Sequence, residues 1–234
     1  MYQTFNIFPT TVYVGEMEDH LKHKEDFYKV YSKYDYAPVI HKNGYEYHTT
    51  TSENFGNPLI HLDEKLESLF SDIVYHTQKY VYDVLEYKKI FDFIITKTWL
   101  SRARKSTDET KWHGHAPSHA SFIYYLNTPP NSHTLNFLTP HNSNSLFAGN
   151  NTSDYKHGIE TFNEVNSSTF FLEPKEGTVV IFPSTIRHRT SSTSSNFEGE
   201  RLAIVGDIVL VYNDEILDYS QGYINPKHWK IYSS

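Results

Sequence analysis

Three imidazoles and one guanidinium are the groups in this chain most able to do chemistry. His113 and His115 flank Gly114 in the segment Trp112-His-Gly-His-Ala-Pro-Ser-His119. On a strand, residues i and i+2 project from the same face, so both rings can converge on one point. Gly114 adds no side chain that would obstruct the approach. Neutral imidazole is a favoured ligand for iron, copper and zinc. Taken alone, such a pair more often marks a polar strand end with solvated rings. A second piece lies far along the chain. The apolar run Gly177-Thr-Val-Val-Ile-Phe-Pro183, led by a turn glycine, is followed by Ser184-Thr-Ile-Arg-His188. A histidine just beyond a buried strand can point into the mouth of a barrel, where ligands commonly bind. Arg201 then opens another apolar run, Arg201–Tyr212. Its planar fork suits bidentate capture of a carboxylate. The other reading of Arg201 is a rim pair with Glu198 or Glu200.

These groups need elements to hold them. Apolar residues at Leu62, Leu66, Leu69, Phe70, Ile73, Val74, Val81, Val84 and Leu85 follow i, i+3, i+4 spacing. With Asp63 and Glu64 in the first turn and Lys88 and Lys89 in the last, they predict one long helix over residues 62–89. From residue 90 the period becomes two. Strands are predicted over 90–100, 120–126, 134–138, 169–172, 178–182 and 201–212, with an edge strand or extended arm over 6–14 containing Pro9. Residues 16–47 are polar and Tyr-rich, with helical turns near 21–34. Turn chemistry at Asn127-Thr-Pro-Pro-Asn131, Glu173-Pro-Lys-Glu-Gly177 and residues 191–199 separates the strands. Short strands after one long helix predict a β-sandwich or jelly roll with helical support on one side. Residues 140–168, rich in Asn, Ser, Thr and Gly, form a surface insertion or a lid.

Composition narrows the functions. The chain has 234 residues, enough for one domain with a substantial core. It has no cysteine, so any metal must be held by nitrogen and oxygen. The formal net charge of −7 and the small basic cluster Arg102, Arg104 and Lys105 argue against nucleic acid as a partner. No secretory leader and no apolar run of membrane-spanning length is present, so a cytoplasmic protein with no membrane partner is expected. A homodimer is compatible with the sequence.

The order His-x-His, strands, Gly-turn-strand, His, then Arg on the next strand resembles the double-stranded β-helix oxygenases that use Fe(II) and 2-oxoglutarate. Their usual signature is His-x-Asp/Glu, a distal His, and an Arg beyond it. Ile123-Tyr-Tyr-Leu-Asn127 is also similar to the strand after the metal motif in prolyl-hydroxylase-like members. Most similar is a group of uncharacterised phage and marine-bacterial 2OG-Fe(II) oxygenases. They share the segments seen here as Ile7-Phe-Pro-Thr-Thr-Val12, His113-Gly-His115, Ser121-Phe-Ile-Tyr-Tyr-Leu126, residues 177–184 with His188, and Glu200-Arg201.

The resemblance implies a fold that is mainly β with α support: a double-stranded β-helix (jelly roll, cupin-like) with a long helix packed on one sheet. The expected layout is one oxygenase domain over residues 1–234. It divides into an N-terminal arm with supporting helices (1–89), a core (90–212) carrying the insertion, and a C-terminal extension (213–234). The implied activity is hydroxylation of a peptide or small-molecule substrate. His113 and His188 would be the constant metal ligands, and His115 stands where most relatives carry the carboxylate. Arg201 would pair with the distal carboxylate of 2-oxoglutarate. The face shared by Ser121, Ile123 and Tyr125 would line the co-substrate, with Tyr125 donating to the same carboxylate. The sequence departs from the pattern at His115, at Phe122 (Gly in relatives) and at Ala203, where plant-type members carry Ser. His115 could instead orient a water or His113, and His119 is a further ligand candidate. Two other readings stay open: a three-His cupin-like metalloenzyme that does not use 2-oxoglutarate, and a non-catalytic jelly-roll module that binds glycan or builds a particle.

Overall fold

The computed structural model describes residues 3–4, 9–34, 37–40, 46–49, 59–139, 160–214 and 222–232. The elements, in chain order, are β1 (Tyr13–Glu16), α1 (His20–Val30), β2 (Ala37–Ile40), β3 (Glu46–Thr49), α2 (Glu67–Gln78), β4 (Phe91–Ala103), β5 (Ala120–Asn127), β6 (Thr134–Leu138), β7 (Thr169–Leu172), β8 (Thr178–Pro183), β9 (His188–Ser191), β10 (Arg201–Tyr212) and β11 (Tyr223–Ile224). Short 3-10 and π turns lie between them.

The strands form two sheets. An eight-stranded sheet runs β1-β8-β5-β10-β4-β3-β2, with β11 added beside β10, and a three-stranded sheet runs β7-β6-β9. The pairings are antiparallel, apart from the parallel pair β10–β11.

Period-two alternation on the central strands divides the core cleanly. Phe122, Tyr124 and Leu126 of β5, Val179 and Ile181 of β8, and Leu202, Ile204 and Ile208 of β10 face the helices. There they pack with Phe27, Leu69, Phe70 and Ile73. The alternate residues Ile123, Tyr125, Val180, Phe182, Ala203 and Val205 face the smaller sheet and meet Leu135 and Phe137 of β6. The large sheet is therefore buried on both faces over β5, β8 and most of β10, as their near-continuous apolar runs require. Functional side chains must lie on the inner face, between the sheets.

The long helix predicted over 62–89 is shorter and compound. Two 3-10 turns, Ile60–Leu62 and Glu64–Leu66, lead in. The α-helix runs Glu67–Gln78, and a π-helical turn, Lys79–Val84, continues it. Asp63 caps the second 3-10 turn, accepting from the Lys65 N–H at 3.2 Å. Tyr80 and Val81 of the π segment are both buried. Glu86, in the left-handed region at φ 56°, ends the element.

Among the described residues, four strands fall where the sequence analysis places none. β2 lies within the polar lead-in and β3 at its end, β9 lies within the stretch after Pro183, and β11 lies in the C-terminal extension. The arm predicted over 6–14 contributes β1, which pairs with β8, whereas residues 5–8 lie outside the described residues. So does most of the predicted insertion, 140–159. Among the described residues, no helix is long and apolar enough to cross a membrane.

Gly206 sits where β10 crosses the ring of Phe122. A Cβ there would lie 2.5 Å from Phe122 Cε1 and 2.9 Å from the Lys97 carbonyl oxygen. Both neighbours are fixed, so Gly206→Ala is expected to cost about 1–3 kcal/mol in urea unfolding, the usual cost of overpacking. An unchanged midpoint would contradict this packing.

Candidate metal and anion site

The structure brings His113, His115 and His188 together. One ligand nitrogen from each lies within 4.8 Å of the others, a spacing that lets three groups share one ion. The ring centroids of His113 and His188 are 4.4 Å apart, those of His115 and His188 5.0 Å, and those of His113 and His115 5.2 Å.

The backbone explains the convergence. His113 and His188 form an isolated antiparallel bridge, exchanging N–H···O bonds of 3.0 and 2.8 Å. His115 N–H donates to the Ser184 carbonyl at 2.8 Å, and Ser184 N–H donates to the His119 carbonyl at 3.2 Å. The segment 113–119 is thus stitched to the turn 184–188 in extended form rather than lying on a regular strand as predicted. His188 also opens β9, opposite Phe137 of β6. Gly114 allows the close approach. A Cβ there would stand 3.3 Å from the Thr185 carbonyl oxygen and 3.4 Å from that of Ser184.

Each ring is oriented through its Nδ1. His113 Nδ1 is 2.7 Å from the Lys111 carbonyl oxygen, and His188 Nδ1 is 3.0 Å from that of Ile186. Carbonyls only accept, so both nitrogens carry hydrogen and each Nε2 keeps its lone pair. His115 Nδ1 is 2.7 Å from Asp207 Oδ1, a carboxylate acceptor, with the same consequence. Metal-ligating histidines are typically held in this way, with the second nitrogen donating outward.

His115 and His188 are buried and His113 is exposed, so the site has a closed floor and an open side. Trp99, Phe182 and Phe137 wall it. Burial, then His113 and then His115, push the His188 imidazole down to about 3, which keeps it neutral and able to bind a metal at ordinary pH.

Asp207 is fully buried. It accepts from Ser121 Oγ at 2.6 Å, and Lys97 Nζ lies 2.9 Å from its other oxygen. Burial pushes its carboxyl up, but His115, Ser121 and Lys97 outweigh that and hold it below the ordinary range.

Arg201 is 1% exposed. Its guanidinium lies 5.2 Å from the ring of the fully buried Tyr125. The alternative reading, a rim pair with Glu198 or Glu200, has no such ion pair among the described residues. Glu200 instead binds Arg104 at 2.7 Å and lies 3.8 Å from Arg102. Among the described residues no carboxylate pairs with Arg201, and its Nε has no hydrogen-bond partner. The Tyr125 hydroxyl and both ring nitrogens of buried His133 are likewise unpartnered. A buried cation beside unsatisfied polar atoms is costly unless an anion completes it. Arg201, Ala203, Val205 and Asp207 alternate onto the same face of β10, so this polar pocket and the histidines share one interior.

Two of the candidate residues have partners of their own. Ser121 donates its hydrogen to Asp207 at 2.6 Å, and its oxygen lies 3.0 Å from His115 Nδ1. His119 is outside the cluster, with its Nδ1 accepting from the Leu210 N–H at 2.9 Å. Sequence reasoning missed Asp207 and His133. A lone Asp inside the apolar run Arg201–Tyr212 was a usable signal, because a buried carboxylate needs partners. Nothing in the sequence around His133 marks it.

Known structures carry the same fold. A 2OG-Fe(II) oxygenase family oxidoreductase from Burkholderia pseudomallei is 12% identical, with 85% of each chain covered and a TM-score of 0.55. HygX from Streptomyces hygroscopicus, solved with nickel and 2-oxoglutarate bound, is 12% identical over 92% of this chain and 91% of that one, at a TM-score of 0.52. A prolyl hydroxylase from Trichoplax adhaerens, in complex with a hypoxia inducible factor oxygen degradation domain peptide fragment, is 13% identical. It covers 85% of this chain and 83% of its own, at a TM-score of 0.51. The architecture is thus the mostly β fold of the 2OG-Fe(II) oxygenases. Residues 97–207, which hold all three histidines and Arg201, match the family model described as "Putative 2OG-Fe(II) oxygenase". No curated protein sequence matches the chain.

The buried His133 generates a pH prediction. Burial, then Arg201, push its imidazole from the ordinary 6.5 down to about 4. The unfolded chain therefore binds a proton that the folded state refuses, and stability falls as pH drops from about 6.5 toward 4. Between pH 7.5 and pH 5 this group alone should remove about 2 kcal/mol. Urea unfolding at both pH values should show His133→Leu losing correspondingly less than wild type. Equal losses would contradict the assignment.

Proposed function

We propose that this protein is an Fe(II)- and 2-oxoglutarate-dependent hydroxylase that acts on a peptide or small-molecule substrate. One observation carries the reading. Imidazoles from two distant segments converge within 4.8 Å, in the same interior as a buried guanidinium without a carboxylate partner. The convergence favours a metal over a non-catalytic module. The uncompensated Arg201 favours an anionic co-substrate over a three-His enzyme that binds none.

The residues present fit both groups. His113, His115 and His188 would hold the iron through Nε2, and Arg201 would bind the distal carboxylate of 2-oxoglutarate, with Tyr125 donating beside it. When bound, Fe(II) and 2-oxoglutarate supply the oxidation of a substrate C–H bond by dioxygen, the keto acid being decarboxylated to succinate. The protein positions and shields. The three Nδ1 acceptors fix the ring tautomers, so the ligand nitrogens need no proton loss at neutral pH. Trp99, Phe137 and Phe182 keep water from the floor. The Arg201 fork sets the register of the co-substrate. His113, on the open side, marks where a substrate would enter. Its exposure suits a substrate presented from outside, and the peptide bound by the prolyl hydroxylase from Trichoplax adhaerens supports that class alongside small molecules.

Anaerobic titration of the Fe(II)-loaded protein with 2-oxoglutarate tests the reading. A visible charge-transfer band should appear on chelation, and intact iron binding without the band would favour the three-His alternative. Arg201→Leu should keep metal binding and weaken 2-oxoglutarate binding by roughly 2–4 kcal/mol in calorimetry, as expected for losing a buried guanidinium–carboxylate pair. An unchanged affinity would remove Arg201 from its role.

A further inference from the structure

We infer that Asp207 is a positioning residue acting through His115, so that the carboxylate missing from the metal's own ligand set stands one bond-shell behind it. This rests on the reading of the three histidines as metal ligands.

The three rings are not held alike. Neutral backbone carbonyls of Lys111 and Ile186 orient His113 and His188. His115 donates to a charged acceptor, the Asp207 carboxylate, at 2.7 Å. That acceptor is itself fixed. Asp207 receives Ser121 Oγ at 2.6 Å and has Lys97 Nζ at 2.9 Å, so three strands of the large sheet contribute to one carboxylate. A β-bulge on β4 lies at this point, with the register shifting between Asp207 and Ile208, and Thr96 Oγ1 donates to the Asp207 carbonyl at 3.3 Å. Bulges often aim a side chain next to a site.

The chemistry follows from the charge. A carboxylate accepting Nδ1–H makes the opposite nitrogen a stronger donor to a metal and locks the ring plane. Such charge-assisted bonds are roughly twice as strong as neutral ones. Three neutral imidazoles would leave a dication uncompensated in a half-buried pocket. Asp207 places a carboxylate behind His115 while leaving all three first ligands nitrogen, and Lys97 Nζ, 2.9 Å from its far oxygen, offsets part of that charge.

Cobalt(II) is the probe, read by its visible spectrum and by calorimetric affinity under anaerobic conditions. Asp207→Asn keeps the shape and removes the charge. Its Kd should rise 10–100-fold, as for other residues that brace a metal-bound histidine, and the cobalt spectrum should change. The decisive comparison uses His115→Asp, which places a carboxylate on the metal directly. In that background, adding Asp207→Asn should change affinity less than about threefold, because the ring through which Asp207 acts is gone. Equal affinity of wild type and Asp207→Asn, or the same loss in both backgrounds, overturns the inference. If Asp207→Asn fails to fold, Ser121→Ala serves instead. It loosens Asp207 without emptying the position, and several-fold weaker cobalt binding is expected, whereas no change overturns the inference. Wild type that binds no cobalt would defeat the metal reading itself, an outcome distinct from the others.

Discussion

The paired backbone hydrogen bonds between His113 and His188 tie the two halves of the site together. They bind the connection before β5 to the start of β9, an edge strand of the smaller sheet, and they bring an imidazole from each side to a shared centre. Ridges of apolar residues can hold two sheets at a given distance, but they do not set angles between rings. The bridge does. Because Gly114 has no Cβ, the segment can lie against the carbonyls of residues 184–186, and His115 follows His113 into the same space. With the backbone so fixed, the three Nδ1 acceptors need only choose the tautomer.

The large sheet supplies what the bridge cannot. Its central strands are buried on both sides, so every inward polar group on them must be satisfied from within. At one end of the inner face, Asp207 Oδ1 accepts from Ser121 and His115, and Lys97 forms an ion pair with the other oxygen. At the other, Arg201, Tyr125 and His133 are left with unmet polar atoms. Between them on β10 stand Ala203 and Val205, whose side chains are short. One interior therefore offers a nitrogen-lined end for a cation and a guanidinium-lined end for an anion. A keto acid that binds metal through one end and a cation through the other has matching chemistry.

Much of this was legible in the residues. The strands over 134–138 and 201–212 end where the period-two pattern ends, because buried strands bounded by turns leave little freedom in register. His-x-His, the distal His and the Arg at a strand start carried the site, since few other arrangements put such groups at the head of apolar runs. Other features were not legible. The helix expected over 62–89 differs because apolar spacing does not distinguish an α-helix from the 3-10 and π turns that flank it here. β9 was missed because its sequence His-Arg-Thr-Ser is polar. It is held by β6 and by the bridge rather than by its own pattern. Ser121 lies on the face that parity assigns it, but its bond to Asp207 was not legible, since parity fixes a face and not the neighbours along it.

The central claim is that all three rings, and no carboxylate, take the metal directly. X-ray absorption on the protein loaded with one cobalt(II) or nickel(II) per chain counts them. The structure predicts three imidazole scatterers, falling to two in His115→Ala. A spectrum fitted by two imidazoles in the wild type, unchanged by that substitution, would contradict it.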